Sequence, residues 1–437
     1  MMAGEPLRIP RCHNLPRNDD LFLEGLLMTV KGKRLSTTTL TLIAMVIGAA
    51  LGLIFGAKMG SFKFIGTIWL NCIKMILIPL VFCIMVVAVG GQKNLSSLGR
   101  TAIRILIYYI LTTVIAIVLG LAIASVLKPG ALISLGGLET QEIAAGTMDM
   151  ESFFVGIFSS SMFGTFSAND ILGTLVIAIM LGIAILKMPN EDHKKVVLGW
   201  FEAMNTLVNS YLKFIIELAP IGVLFLVADS FGTYGFAVFS SMAGLIGTFW
   251  VGVLLQVLLV YCGSVAIFAK ISPVRFLKDT SSVWTFTIAS CSSAANIPIS
   301  LKTCKEKFHI KEEIADFCIP LGANLNCDGM AICFGCVLMF IAQMNGISFD
   351  FGTIFKMVVV STLLTSTGGG IPGGGIVKLM TVVSMFGLPT EVVGIVAGFY
   401  RFFDMGTTTG NCLGDVAGTV IVNALEKKRA EKQDRVA

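Results

Sequence analysis

Between residues 38 and 425 one apolar segment follows another, and several exceed the roughly 18 to 20 residues that carry an α-helix across bilayer hydrocarbon. Lipid offers no hydrogen bonds, so wherever the backbone meets it the chain has to be helical. Hydrophobic residues make up 55% of the 437 residues and charged ones 14%, which excludes an ordinary soluble domain. Apolar segments at about 38–57, 64–91, 102–127, 171–187, 195–228, 235–269, 314–343 and 390–425 are the expected full crossings, eight in all.

Charge at the segment ends sets the orientation. Arg8, Arg11, Arg17, Lys31, Lys33 and Arg34 mark the first 37 residues as a cytoplasmic tail without the short apolar core of a cleavable signal. Lys93, Arg100 and Arg104, then Lys187, Lys194 and Lys195, then Lys270, Arg275 and Lys278 define further cytoplasmic sides. The connection from Pro129 to Ser152 holds Glu139, Glu142, Asp149 and Glu151 but no lysine or arginine, and belongs outside. Residues 426–437 return to the cytoplasm with Lys427, Lys428 and Arg429. The net charge of +5 is distributed this way along the chain and implies no nucleic acid. The eleven cysteines are scattered, most in apolar runs, so no disulfide framework is expected; Cys333-x-x-Cys336 lies in such a run. His13, His193 and His309 fall in polar tails or connections and read as solvated.

Two further stretches, 279–303 and 352–385, are apolar but broken by Ser290-Cys291-Ser292-Ser293-Ala294-Ala295-Asn296-Ile297-Pro298 and by Gly368-Gly369-Gly370-Ile371-Pro372-Gly373-Gly374-Gly375. Continuous lipid-facing helices tolerate such interruptions poorly, so two re-entrant helical hairpins are expected, each exposing backbone at its tip. One hairpin precedes 314–343 and the other 390–425. Lys302, Lys305, Lys307 and Lys311 put the base of the first inside, whereas Asn345 to Phe351 has no basic residue and puts the second outside. Hairpin plus helix thus recurs in opposite orientation, as in the inverted repeats of secondary transporters.

Polar residues inside the apolar runs mark the candidate site. Arg401, Asp404, Asn411 and Asp415 recur at offsets of three, seven and four, near one helical face. Carboxylates at that depth normally face a bundle interior and an ion or substrate path. In Asn326-Cys327-Asp328-Gly329-Met330, Asn326 and Asp328 would project to opposite sides of a regular helix; local unwinding beside Gly329 would let their oxygens converge on a hard cation such as sodium. A glycine-weakened helix whose polar groups pair with neighbours is the plainer alternative. Tyr109, Thr112 and Thr113 form a hydroxyl cluster on one face of the third span, either bonded across helices or directed at Asp328. Ser292 and Ser293 are either tip packing or ligand contacts.

These motifs resemble the dicarboxylate/amino acid:cation symporter family. The likeness runs from about 38 to 425, through Pro79-Leu80-Val81-Phe82, Tyr108-Tyr109 to Thr113, Ala219-Pro220-Ile221-Gly222-Val223, both hairpin tips, Pro320-Leu321-Gly322-Ala323-Asn324, Asn326 to Met330, and Asp404-Met405-Gly406 to Gly414-Asp415. The resemblance implies an all-α polytopic membrane protein, with eight transmembrane helices and two re-entrant hairpins, assembled as a homotrimer. Residues 38–101 and 129–230 would form a static scaffold; 102–128 and 231–425 would form a moving transport domain.

It also implies ligands. One sodium site would use backbone oxygens of Gly322, Asn326 and Asn411 with the Asp415 carboxylate. A second would use Tyr109, Thr112, Thr113, Asn326 and Asp328. A third would use carbonyls around Thr365, Ser366 and Gly368, with Cys327 in place of a methionine; Asn324 in the same motif joins the expected cation ligands. An amino acid's carboxylate would meet Ser292, Ser293, Asn411 and the second tip at Gly373 and Gly375, and Asp404 would take its ammonium. Members that carry acidic substrates present an arginine where this chain has Thr407 and a threonine where it has Met330. With Thr407, Thr408 and Met330 around the substrate side chain, a small neutral amino acid is expected, serine or threonine before alanine.

Sodium-coupled uptake at the cell membrane is therefore the expected function, with sodium ions as co-transported ligands, no cofactor, and the second hairpin as an extracellular lid. Arg401, three residues before Asp404, is expected to neutralise it when the site is empty. The alternatives are an acidic amino acid or C4-dicarboxylate symporter, proton coupling, a channel or nutrient sensor, and a membrane-embedded hydrolase, for which no nucleophile and base stand together.

Overall fold

The computed structural model describes residues 29–30, 33–34, 37–91, 100–132, 155, 158, 160–365 and 374–434. Apart from a two-residue antiparallel pairing of Thr29–Val30 with Lys33–Arg34, these residues are helical where they are regular. Four helical stretches are long and apolar enough to cross a membrane: Thr39–Val87, Thr101–Ala131, Ala237–Ala269 and Glu312–Met344. The first is 49 residues, about 73 Å if straight, far beyond one bilayer. Within it α1 (Thr37–Phe55) and α2 (Lys63–Gly90) are separated by a 3-10 segment that opens on left-handed Gly56.

After α3 (Arg100–Leu127) come α4 (Met162–Ser167), α5 (Ile171–Leu186), α6 (Glu191–Glu217) and α7 (Ala219–Tyr234). The expected span 195–228 is thus two helices bent by 48°. Pro220 is the cause: near the start of α7 it cannot supply the amide that would carry the α6 ladder through. Next, α8 (Ala237–Ala269) contains two π turns, Gln256–Tyr261 and Val265–Ala269.

A short α9 (Pro273–Asp279) leads into the first broken segment, α10 (Ser281–Ser290) and α11 (Ser293–Glu306). They are joined by left-handed Cys291 and by Ser292, whose hydroxyl caps α11 through the Ala295 amide. Then α12 (Glu312–Leu325) and α13 (Asp328–Met344) flank a break at Asn326 and Cys327. The second broken segment supplies α14 (Phe351–Thr365) and α15 (Gly374–Met385), and the chain closes with α16 (Glu391–Asp434). The tip between α14 and α15, with the expected ligands Ser366, Gly368 and Gly373, lies outside the described residues.

Among the described residues four helical stretches, or five with the bent pair, are long and apolar enough to cross, and the first of them holds two of the expected spans, α1 and α2. Of the remaining expected spans, α5 is only 16 residues long. The polar row of α16 lowers its hydropathy, yet Thr407–Gly410 and Cys412–Asn423 are buried in protein rather than lipid, so apolarity is not required of that face. The helix α16 is uninterrupted from Glu391 to Asp434.

Packing places the site. On one side α1 lies along α7, and α2 against α5, α6 and α7. On the other, α16 is the hub: α8, α10, α11, α12, α13 and α3 pack on it, and α3 lies along α13. The two groups meet where α16 reaches α1 and α7 and where α15 reaches α2 and α5. At the basic end Arg104 pairs with Glu426 at 2.6 Å, fastening α3 to α16, and Lys305 pairs with Asp316 at 2.8 Å, fastening α11 to α12.

Candidate cation and substrate site

The break between α12 and α13 creates the centre of the site. Asn326 is extended (φ −90°, ψ 109°), its amide still bound to the Gly322 carbonyl at 2.8 Å, and Cys327 caps the start of α13. Two buried carboxylates flank this break, Asp328 and Asp415. Asp328 accepts from the Thr113 hydroxyl at 2.6 Å, the Tyr261 hydroxyl at 2.8 Å and the Gln256 amide at 3.3 Å. Asp415 accepts from the Asn326 amide at 3.0 Å, and the same amide donates to the Asn411 carbonyl. The other side-chain atom of Asn326, its carbonyl oxygen, is buried without a partner.

Backbone is exposed to these carboxylates where glycine removes the side chain. A Cβ on Gly322 would stand on the Asp415 carboxylate and 2.5 Å from the Tyr109 hydroxyl, which itself donates to the Cys318 carbonyl at 3.1 Å. A Cβ on Gly329 would strike the backbone of Thr407, so α13 begins in direct contact with α16. There the Gly329 amide donates to the Asn411 side-chain oxygen at 2.9 Å.

Among the described residues no lysine or arginine nitrogen lies within 4.0 Å of Asp328, Asp404 or Asp415. Neutral donors soften the burial of Asp328, but they do not cancel its charge. A buried charge without a counter-charge costs several kcal/mol in effective terms, and one buried acceptor at Asn326 remains open. Carboxylate, carboxamide and carbonyl oxygens are the ligand types that small hard cations take.

The sequence-derived residues divide by place. Thr113, Asn326, Asp328 and Asp415 come together, with Tyr109 and Gly322 on the Asp415 side. Thr112 is buried beside them, but its hydroxyl turns back to the Tyr109 carbonyl at 3.2 Å. Cys327 is buried at the break, and Thr365 closes α14 with its hydroxyl on the Thr362 carbonyl. Asn324 stands apart: it is exposed and its amide folds back to the Pro320 carbonyl at 2.9 Å.

About three turns from Asp415 along α16, Asp404 is half-buried, with the Thr407 hydroxyl 3.4 Å from its carboxylate and 3.2 Å from its carbonyl. Thr407 and Thr408 are buried. Met330 is buried against the Tyr400 hydroxyl, 3.8 Å from its sulfur, and Gly375 faces both. Ser293 lies at the start of α11 on the α16 side, near Cys412, whereas Ser292 is engaged as a helix cap. Asn411 has committed its side-chain oxygen to Gly329, leaving its amide hydrogens for an acceptor. Arg401 makes no ion pair with Asp404 within 4.0 Å, although its charge is within electrostatic reach of that carboxylate. Its guanidinium donates to the Ala289 carbonyl at 2.7 Å, because the last carbonyls of α10 lack helical partners and carry the negative end of its dipole.

Three site residues were not foreseen. Gln256 and Tyr261 reach the same carboxylate although five residues apart, a spacing that diverges on an α-helix and is brought together by the π turn between them. A lone carboxamide in the apolar run 235–269 was the available signal. Tyr400, one turn before Asp404, was hidden among the aromatics of that helix.

Residues 38–425 match the sodium:dicarboxylate symporter family. Similar proteins include the Proton/glutamate-aspartate symporter of Bacillus subtilis (strain 168), 27% identical over 400 residues that cover 90% of this chain and 95% of that one. A C4-dicarboxylate transport protein of Laribacter hongkongensis (strain HLHK9) is 27% identical, covering 89% and 90%. The Neutral amino acid transporter B(0) of Oryctolagus cuniculus is 29% identical, covering 87% and 78%. With its helical, largely apolar architecture and its buried carboxylates, the chain belongs to the sodium:dicarboxylate symporter family, and is a multi-pass membrane symporter that couples dicarboxylate or amino acid movement to cations, not an enzyme.

Proposed function

We propose that the protein takes up a small neutral amino acid, serine or threonine before alanine, together with sodium, by alternating access across the cell membrane. The observation that carries sodium coupling is the Asp328, Asn326 and Asp415 cluster, buried, with an open carboxamide oxygen and no basic partner among the described residues. A cation arriving there removes an uncompensated charge and ties α12, α13 and α16 together. That order is needed before Asn411 and Asp404 can receive a zwitterion, so sodium raises the fraction of binding-competent protein.

Neutral selectivity is supported by the surroundings of Asp404. Thr407, Thr408, Met330 and Tyr400 offer hydroxyl and thioether groups and no cation. The single arginine in reach, Arg401, is held by Ala289. Under this reading α1, α2 and α5 to α7 form the scaffold of a homotrimer, and the helices gathered on α16 form the moving part; both termini are cytoplasmic, as the charge pattern requires. Serine uptake into proteoliposomes under an inward sodium gradient should collapse when sodium is replaced by potassium. Unchanged uptake would overturn the coupling.

A second reading is an acidic amino acid or C4-dicarboxylate symporter, with proton coupling. Arg401 favours it, since release from Ala289 would present a guanidinium one turn from Asp404. Competition by all common amino acids and by succinate, with and without sodium, separates the two.

A further inference from the structure

Gln256 is the one carboxamide in α8 and is fully buried. Its side-chain nitrogen lies between two oxygens, 3.2 Å from the Thr112 carbonyl and 3.3 Å from the Asp328 carboxylate. Its side-chain oxygen, on the same carbon, is buried without a partner. Buried acceptors are nearly always satisfied, and an open one points to a group that completes it. Three elements meet at this carboxylate: α3 through the Thr113 hydroxyl on one Asp328 oxygen, α8 through Gln256 and Tyr261 on the other, and α13 through Asp328 itself. Gln256 reaches it because α8 takes a π turn there, a local departure that α-helices often make at functional sites. The cation ligands implied by the resemblance, Tyr109, Thr112, Thr113, Asn326 and Asp328, leave this residue out.

The last torsion of a glutamine side chain is broad and two-fold, so a half turn exchanges oxygen and nitrogen without moving the helix. Resting on the sodium-coupled reading above, we propose that Gln256 is a cation ligand that works in two orientations. In one, seen in this structure, its amide hydrogens face Asp328 and Thr112; in the other, its oxygen faces them across a sodium ion. Amide hydrogens and sodium are drawn to the same two acceptors and exclude each other there, so an arriving ion turns the carboxamide over. Turned, it adds a carboxamide oxygen to a carboxylate and a backbone carbonyl, the ligands that hard cations take, and α8 becomes tied to α3 and α13 through the ion. The two roles that Gln256 could have act in opposite directions. A donor alone stabilises the Asp328 charge without sodium and so opposes sodium binding, whereas a ligand favours it.

The experiment is sodium binding to the full-length protein in detergent, read as the rise of its unfolding temperature with sodium chloride against potassium chloride. Gln256→Met keeps the length of the side chain and removes both the amide hydrogens and the oxygen. It should raise the sodium midpoint by about tenfold. A midpoint equal to or below that of the wild type would overturn the inference and leave Gln256 as a donor to Asp328. If Gln256→Met does not fold, Gln256→Glu decides, since it keeps oxygen at that place and gives up the amide hydrogens: a midpoint at or below the wild type upholds the ligand, and a raised one refutes it. Wild-type stability and uptake both indifferent to sodium would instead remove the sodium-coupled reading itself.

Discussion

Gly322→Ala places a methyl group in the narrowest part of the cation cluster. Its Cβ would collide with the Asp415 carboxylate and lie 2.5 Å from the Tyr109 hydroxyl oxygen, where ordinary contact begins at 3.4 Å. Tyr109 is almost fully buried and cannot swing into solvent, so the carboxylate or the ring must retreat by about 1 Å into close-packed surroundings. Overpacking of this kind costs about 1 to 3 kcal/mol. Displacing Asp415 also strains its bond from Asn326, a bond to a charged group that contributes about 1.5 to 3 kcal/mol. Taking about 3 kcal/mol as the combined effect, and about 1.4 kcal/mol per tenfold, the half-saturating sodium concentration for uptake should rise by about two decades. Sodium titration of uptake in proteoliposomes measures it, with Gly244→Ala as a control, since a Cβ there meets nothing closer than 3.8 Å. A Gly322→Ala protein with the wild-type sodium midpoint would refute the assignment of this cavity to a coupling ion.

Asp404→Asn keeps the shape of the site but removes the charge that would hold a substrate ammonium; amino acid uptake should fall by about a hundredfold or more, and retained serine uptake would disprove that role. Thr407→Arg should raise inhibition by aspartate and weaken serine uptake, read from competition curves. Arg401→Ala releases the Ala289 carbonyl at the base of the first tip and should reduce serine and aspartate uptake alike; selective loss of aspartate uptake would show that Arg401 reads a distal carboxylate. Tyr261→Phe removes a donor from Asp328 and should change the sodium midpoint by roughly tenfold at constant serine affinity.

Much of the helical layout was legible because lipid leaves the backbone few options. Serine and the residues beside it located the break at Cys291, and the Asn326 to Gly329 motif located the break in the helix pair that ends at Met344. The polar row on α16 was readable from spacing alone. What spacing does not convey is direction across a packed interface. Arg401 and Asp404 are helical neighbours, yet the guanidinium hydrogen-bonds a carbonyl on another helix instead of that carboxylate. Gln256 and Tyr261 were invisible as a pair because their convergence needs a π turn, which their apolar flanks do not announce.

The uninterrupted course of α16 has a mechanical corollary. Asp404 and Asp415 are eleven residues apart on one rod, about 16 Å at 1.5 Å per residue, and bending so long a helix between them would break its backbone ladder. Under the proposed reading, amino acid and ion would therefore be carried at a fixed separation, like two hooks on a rail. Any signal that one berth is full has to pass sideways, through the loosely wound start of α13 and the short arms beside it, rather than along the rail.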